Sequence, residues 1–256
     1  MTRAYQRIVV TREGGVETIT LNNPQRRNAL GPGMINELLW ALDDARSAEA
    51  VRSIVLTGAG KAFCSGGDFS GGGGGPELPP KGDFADLLLA LAHADKPVIA
   101  RVNGDAMGGG LGLVAASTFA VASTDARFGT PEVDLGIFPM MIMGVLARHV
   151  PRRRLLEMML LAQRFAADEA ARLGLVNRAV APGSLDAEVK TITDALATKS
   201  ASTLRLGLRA FAAQDDLALA DALPLLRDRL AECLATEDAR EGLTAFLEKR
   251  LPRWKE

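Results

Sequence analysis

Three times before residue 135 this chain runs out of a short apolar, β-rich stretch straight into a turn that carries glycine. Residues 53–57 lead through Gly58-Ala59-Gly60 into Lys61-Ala62-Phe63-Cys64-Ser65-Gly66-Gly67-Asp68. Residues 98–102 lead into Asn103-Gly104-Asp105-Ala106-Met107-Gly108-Gly109-Gly110-Leu111-Gly112. Residues 119–122 and the short 127–128 precede Gly129-Thr130-Pro131-Glu132. Upstream, two β-rich runs at 7–11 and 16–21 flank Gly14-Gly15, a hairpin turn. Pro32 then opens a helix whose Met34, Leu38, Ala41, Leu42 and Ala45 recur at helical spacing. Strand alternating with helix predicts an α/β layered fold.

From Met140 onward the pattern turns almost wholly helical, with segments expected at 140–149, 152–162, 167–173, 186–199, 201–213, 217–234 and 236–249. Pro151, Gly174, Pro182-Gly183 and Pro224 punctuate them. Residues 1–181 are therefore expected to hold the α/β core and residues 182–256 a C-terminal helical region. The run Gly71 to Gly75, followed by Pro76 and Pro79-Pro80, is expected to be a mobile surface loop.

Glycine at a strand-to-helix turn lets backbone approach a ligand and leaves N–H groups pointing outward. A helix N-terminus adds a favourable dipole at the same place. Two such N–H groups from different turns can hold a carbonyl oxygen that gains negative charge during a reaction. The alternative is tight packing of helix on sheet, and the glycines alone do not choose between them. Glu132, following Thr130-Pro131 at a strand end, is likewise either an acid/base group or a helix cap. The order of the glycines fits neither a phosphate-binding Walker loop nor a dinucleotide fingerprint, and no G-x-S-x-G elbow is present.

Composition removes other classes. A net charge of −1 gives no electrostatic footprint for nucleic acid or an anionic membrane. The local run Arg152-Arg153-Arg154 is read as solvated or subunit-facing surface. Two cysteines, Cys64 and Cys233, and two histidines, His93 and His149, cannot build a disulfide framework or a His-based metal centre and are assigned structural roles. The uncharged stretch 106–124 approaches the ~20 residues of a membrane span. Its four glycines and four Ser/Thr residues instead mark a buried core segment. With no signal-peptide core at the N-terminus, the expected location is cytoplasmic.

Taken together, these segments resemble the crotonase superfamily, the enoyl-CoA hydratase/isomerase group. Lys61–Asp68 resembles its first oxyanion loop, and Lys96-Pro97-Val98-Ile99-Ala100 through Gly112 its second. Phe128-Gly129-Thr130-Pro131-Glu132-Val133-Asp134-Leu135-Gly136-Ile137 resembles its glutamate-bearing segment. Ala170-Ala171-Arg172-Leu173-Gly174-Leu175-Val176-Asn177-Arg178 is similar to its helix-to-strand exit, and residues 241–250 to its C-terminal helix. The resemblance implies a ββα spiral core with a C-terminal helical oligomerisation region, and a homotrimer or dimer of trimers. It implies an acyl-CoA thioester as substrate, with CoA belonging to the substrate and no tightly bound cofactor. By the same resemblance, the Gly67 and Gly109 amides form the oxyanion hole and Glu132 is the acid/base. Ala62, Gly66, Gly67, Asp68 and Phe69, with Gly108 and Gly109, would line the thioester's path. Phe246 and Lys249 match positions that in some relatives reach a neighbouring subunit's CoA.

The sequence departs from the family at one telling place. Hydratases usually carry a first glutamate two residues beyond the glycine triplet, and here that position is Gly112. Enoyl-CoA isomerases in the superfamily work with a single glutamate at the Glu132 position, so the reading leans to double-bond isomerisation. Hydration with an atypical second acid and acyl-CoA binding without catalysis remain as alternatives. Asp105, Asp134 and Asp68 are the nearby carboxylates, Asp68 matching a family residue that is usually structural. Phe138-Pro139-Met140-Met141-Ile142-Met143 is apolar enough for core packing or for a greasy acyl pocket. Ser70 replaces a lysine that would give CoA a phosphate contact.

Overall fold

A computed structural model of the chain describes residues 3–69 and 78–255. The expected Gly71 to Gly75 loop and the Ser70 position lie outside these residues. Two strands, β1 (Ile8–Glu13) and β2 (Val16–Leu21), form an antiparallel hairpin about Gly14-Gly15. Next come α1 (Pro32–Ser47), β3 (Ser53–Gly58), α2 (Phe84–Ala92) and β4 (Val98–Val102). The short β5 (Ala106–Met107), α3 (Gly109–Ala116), β6 (Phe119–Ser123) and β7 (Arg127–Gly129) follow. After a 3-10 turn at Pro131–Leu135 the chain continues through α4 (Met140–Leu146), α5 (Arg152–Leu161), β8 (Phe165–Ala166), α6 (Ala167–Arg172) and β9 (Arg178–Val180). Four longer helices complete it: α7 (Leu185–Ala197), α8 (Ala201–Gln214), α9 (Leu219–Leu234) and α10 (Glu237–Glu248).

The strands build two sheets. Six pair in the order β1-β2-β3-β4-β6-β9, parallel throughout except for the opening hairpin. Period-two alternation sends the two faces of this sheet to different partners. Ile54, Leu56, Val98, Ala100 and Ala122 enter the main core, whereas Val55, Ile99 and Val121 pack against Leu185 and Val189 of α7. With helices on both faces, β3 is buried at all six positions, which is why its Ile54-Val55-Leu56 centre is apolar on both faces instead of alternating. The second sheet is small, in the order β5-β7-β8, and it fastens the later glycine turns to each other: Met107 pairs with Gly129 and Phe128 with Phe165.

Several elements differ from the sequence expectation. Helix α2 was not expected; of the three-stranded sheet only the strand at 127–128 was, since β5 and β8, at two residues each, are too short to show a period. Helix α4 ends at Leu146 rather than continuing to residue 149. Pro224 lies inside α9 and does not end it. The hydrogen bond it removes would have used the carbonyl of Ala220, a residue exposed to solvent, so water can replace it.

Candidate active site

The first glycine turn is held from beneath by two asparagines. Asn28, fully buried at a left-handed φ of 57°, donates from Nδ2 to the carbonyls of Ala59 (2.9 Å), Ala62 (2.9 Å) and Phe63 (3.2 Å). Its Oδ1 accepts from the Asn23 amide at 2.9 Å. Asn103 accepts from the Gly58 amide at 3.1 Å and donates to the Gly60 carbonyl at 3.0 Å. Buried backbone carbonyls need such partners where no ladder supplies them. Side chains thus set the path of residues 59–63.

The first and second turns then meet backbone to backbone. A Cβ on Gly104 would fall 2.0 Å from the Lys61 carbonyl oxygen, and one on Gly110 2.5 Å from that of Cys64. Met107 N donates to Cys64 O at 2.9 Å, and Gly108 N donates to Gly129 O at 2.9 Å, joining the third turn to the second. Cys64 is fully buried in this joint, and burial pushes its thiol up to about 12, against a smaller opposing effect of a backbone hydrogen bond from Gly66. Close packing of backbone on backbone is thus one role that these glycines fill.

Two amides are left over. The backbone bonds flanking Gly67 run from Leu30 N to Gly66 O (2.7 Å) and from Asp68 N to Leu30 O (2.9 Å), passing Gly67 N by. Gly109 is the first residue of α3, where an N–H has no partner within the helix. Among the described residues neither amide has an acceptor. They are neighbours: a Cβ on Gly109 would stand 3.7 Å from Gly67 N. Both residues line a cleft of about 300 Å³.

Glu132 enters the same cleft from the 3-10 turn. Its turn is braced by Thr130, whose buried hydroxyl donates to the Met158 carbonyl at 3.1 Å, and by the Ile137 amide donating to Glu132 O at 3.2 Å. Glu132 Oε2 is buried without a hydrogen-bond partner. Oε1 lies 2.6 Å from where a Cβ on Gly108 would be, so only glycine at 108 leaves the carboxyl its place. Burial raises the Glu132 pKa above its ordinary value. A half-buried, poorly solvated carboxyl beside two unpaired amides is equipped to take a proton from carbon next to a carbonyl held by those amides.

Most of the other described lining residues are apolar: Leu30 and Ile35, Phe84 of α2, and Ile137 through Ile142 leading into α4. The Phe138 to Met141 run lines the cleft, as an acyl pocket requires, and Ile142 packs into the core as well. Phe69 also lines it, exposed and with its ring end against Gly67. Asp68 lines it too, 3.0 Å from Arg26. Ala62, Gly66 and Gly108 sit beneath the cleft, buried in the joint between turns. Asp105 is spent elsewhere, its carboxylate accepting the Arg127 amide at 3.0 Å, and exposed Asp134 does not line the cleft. Phe246, 80% exposed, and Lys249, just past the end of α10, lie outside the cleft. Among the described residues no group of three or more His, Cys, Asp or Glu is placed to hold a metal ion, and no helix is long and apolar enough to cross a membrane.

Sequence reasoning missed Asn28 and Phe84. Nothing near Asn28 marks its role in the linear sequence. Asp83-Phe84-Ala85-Asp86 before an apolar run does carry a cap signature for α2.

Residues 11–256 match the family model described as enoyl-CoA hydratase/isomerase. The chain is 36% identical over 256 residues to a crotonyl-CoA hydratase of Syntrophomonas wolfei, covering 96% of this chain and 97% of that protein. It is 34% identical over 258 residues to a short-chain-enoyl-CoA hydratase of Clostridium acetobutylicum, covering 95% of each. The crystal structure of an enoyl-CoA hydratase from Mycobacterium smegmatis superimposes with a TM-score of 0.90 at 34% identity, covering 98% of this chain and 100% of that one.

Proposed function

Since the chain belongs to the enoyl-CoA hydratase/isomerase family, and is an enzyme with that family's crotonase fold, we propose that it shifts a double bond in an enoyl-CoA thioester. The observation that carries this reading is the partnerless Glu132 Oε2, buried in the cleft that the Gly67 and Gly109 amides line. The thioester oxygen accepts from both amides, so negative charge gathers there as a proton leaves the adjacent carbon. Glu132 takes that proton and returns it two carbons further along. Each step moves only a proton, so the reaction calls for no redox group or metal. CoA enters as part of the substrate, along backbone from Ala62 to Phe69.

Hydration is the second reading, favoured by the names of the relatives and by Asp68, a second carboxylate among the described residues that line the cleft. Proton NMR with trans-3-hexenoyl-CoA and with crotonyl-CoA in deuterated buffer separates the two. Appearance of the 2-enoyl isomer without 3-hydroxyacyl product is the expected result. A 3-hydroxyacyl product from crotonyl-CoA would replace isomerisation by hydration.

The same reading includes a trimer or a dimer of trimers. Helices α8 to α10 support it, leaving Phe211, Leu219, Leu230, Phe246 and Leu247 more than half exposed. In such an assembly Phe246 and Lys249 would serve a neighbouring subunit's cleft, Lys249 as a cation for CoA phosphate.

A further inference from the structure

The apolar side of the cleft rests on an accommodation between α3 and α4. Gly112 lies one turn beyond Gly109, its amide donating to Gly108 O at 3.1 Å. A Cβ there would fall 2.5 Å from Ile142 Cγ2 and 3.3 Å from Leu88 Cδ2. Ile142 therefore fills the volume that any side chain at 112 would occupy. It is 3% exposed, and it also lines the cleft that Glu132 enters. A β-branched side chain on a helix is confined to few rotamers, so Ile142 does not readily swing aside.

The consequence concerns water. An ordered water needs roughly two to four polar partners. Among the described residues that line the cleft, only Glu132 and Asp68 ionise, and Asp68 is paired with Arg26. Once a thioester oxygen occupies the two amides, Glu132 faces an acyl chain and a hydrocarbon wall.

We propose that Ile142, seated in the space left by Gly112, is a specificity-determining residue that keeps water from the acyl chain beside Glu132. The proton Glu132 removes then goes back to the same substrate instead of exchanging with solvent or being followed by hydroxide. This rests on Glu132 acting as the acid/base. The electron pair of the broken C–H bond enters the conjugated enolate, whose oxygen charge the two amides hold. Protonation at the more distant carbon restores the carbonyl, and nothing is gained or lost overall. The substrate class is an unsaturated acyl thioester that is rearranged and does not take up water.

The test compares the intact protein with Ile142→Thr, which keeps the β-branch but offers water a hydroxyl, and with Ile142→Val, which removes only the terminal methyl. Each is given trans-3-hexenoyl-CoA in deuterated buffer, and the solvent deuterium in the 2-enoyl product is read by mass spectrometry. Retained protium in wild type and Ile142→Val, with a several-fold rise in deuterium for Ile142→Thr, is the expected result. Equal deuterium in all three overturns the proposal. If wild type turns over no thioester, the reading of the function has failed, and a carbon-13 titration of the Glu132 carboxyl decides the remaining point. A lower pKa in Ile142→Thr than in wild type upholds water exclusion; an unchanged one overturns it.

Discussion

Replacing the Glu132 carboxyl by an amide of the same shape should have opposite effects on activity and on stability. Glu132→Gln is expected to abolish proton transfer while leaving binding of an acyl-CoA analogue within a few-fold, as read by NMR turnover and calorimetry. Because burial raises the Glu132 pKa in the folded chain, the ionised form costs stability. That cost is absent below the carboxyl's unfolded pKa and is complete once pH has risen through the raised folded value. Glu132→Gln should therefore melt higher than wild type at neutral pH, and the two should converge on acidification. The acid limb of the pH–rate profile should lie above the ordinary glutamate range. Gly109→Pro tests the oxyanion amide directly. Proline is tolerated at the first position of a helix and has no N–H to give. Leu30 and Phe84 need yield only slightly, since a Cβ there would lie 3.2 and 3.3 Å from their side-chain ends. The expected loss is roughly 10²–10³ in kcat with a near-wild-type circular dichroism spectrum.

At the scale of elements, α2 shows how a helix distant from the chemistry shapes it. Asp83 accepts from the Ala85 and Asp86 amides, and Asp86 returns a bond to the Asp83 amide. This cap starts a helix that presents Phe84 to the cleft and Leu88 to Gly112. Asp83→Ala should cost about 1 kcal/mol in denaturant unfolding. The strands at 53–57 and 98–102 and the glycine turns after them were legible in the sequence because their burial and their conformations are local demands. The role of Asn28 and the contact of Ile142 with Gly112 were not, because these partners lie 31 to 35 and 30 positions apart and only the folded backbone brings them together. Gly112 stood out as a departure from the family, yet the sequence held no sign that Ile142 fills its place. Pro224 misled as a helix stop because tolerance there depends on solvent at one carbonyl.

At the scale of the whole molecule, the chain divides its apolar surface unevenly. β3, β4, α1 and α3 bury most of theirs, whereas α8 has no buried residue and α9 and α10 have one each. A chain that leaves Phe246 and Leu247 about 80% exposed is expected to cover them with another copy. Phe246→Asp with Leu247→Asp should shift the sedimentation mass toward the monomer. If the arm serves a neighbouring cleft, apparent KM for an acyl-CoA should rise more than kcat falls. An unchanged mass would place the covering surface elsewhere.

The buried position of Cys64 bears on what this cleft must not do. A thiolate beside an acyl thioester is a competing nucleophile, able to take the acyl group from CoA and leave the protein covalently blocked. Cys64 lies just beneath the paired amides, where such an exchange would be most damaging. Burial holds its thiol well above the ordinary cysteine range, which disfavours the thiolate at neutral pH, and the sulfur is fully buried beneath the glycine turns. If an acyl thioester binds as proposed, the packing around Gly67 and Gly109 would also keep the Cys64 thiol away from it.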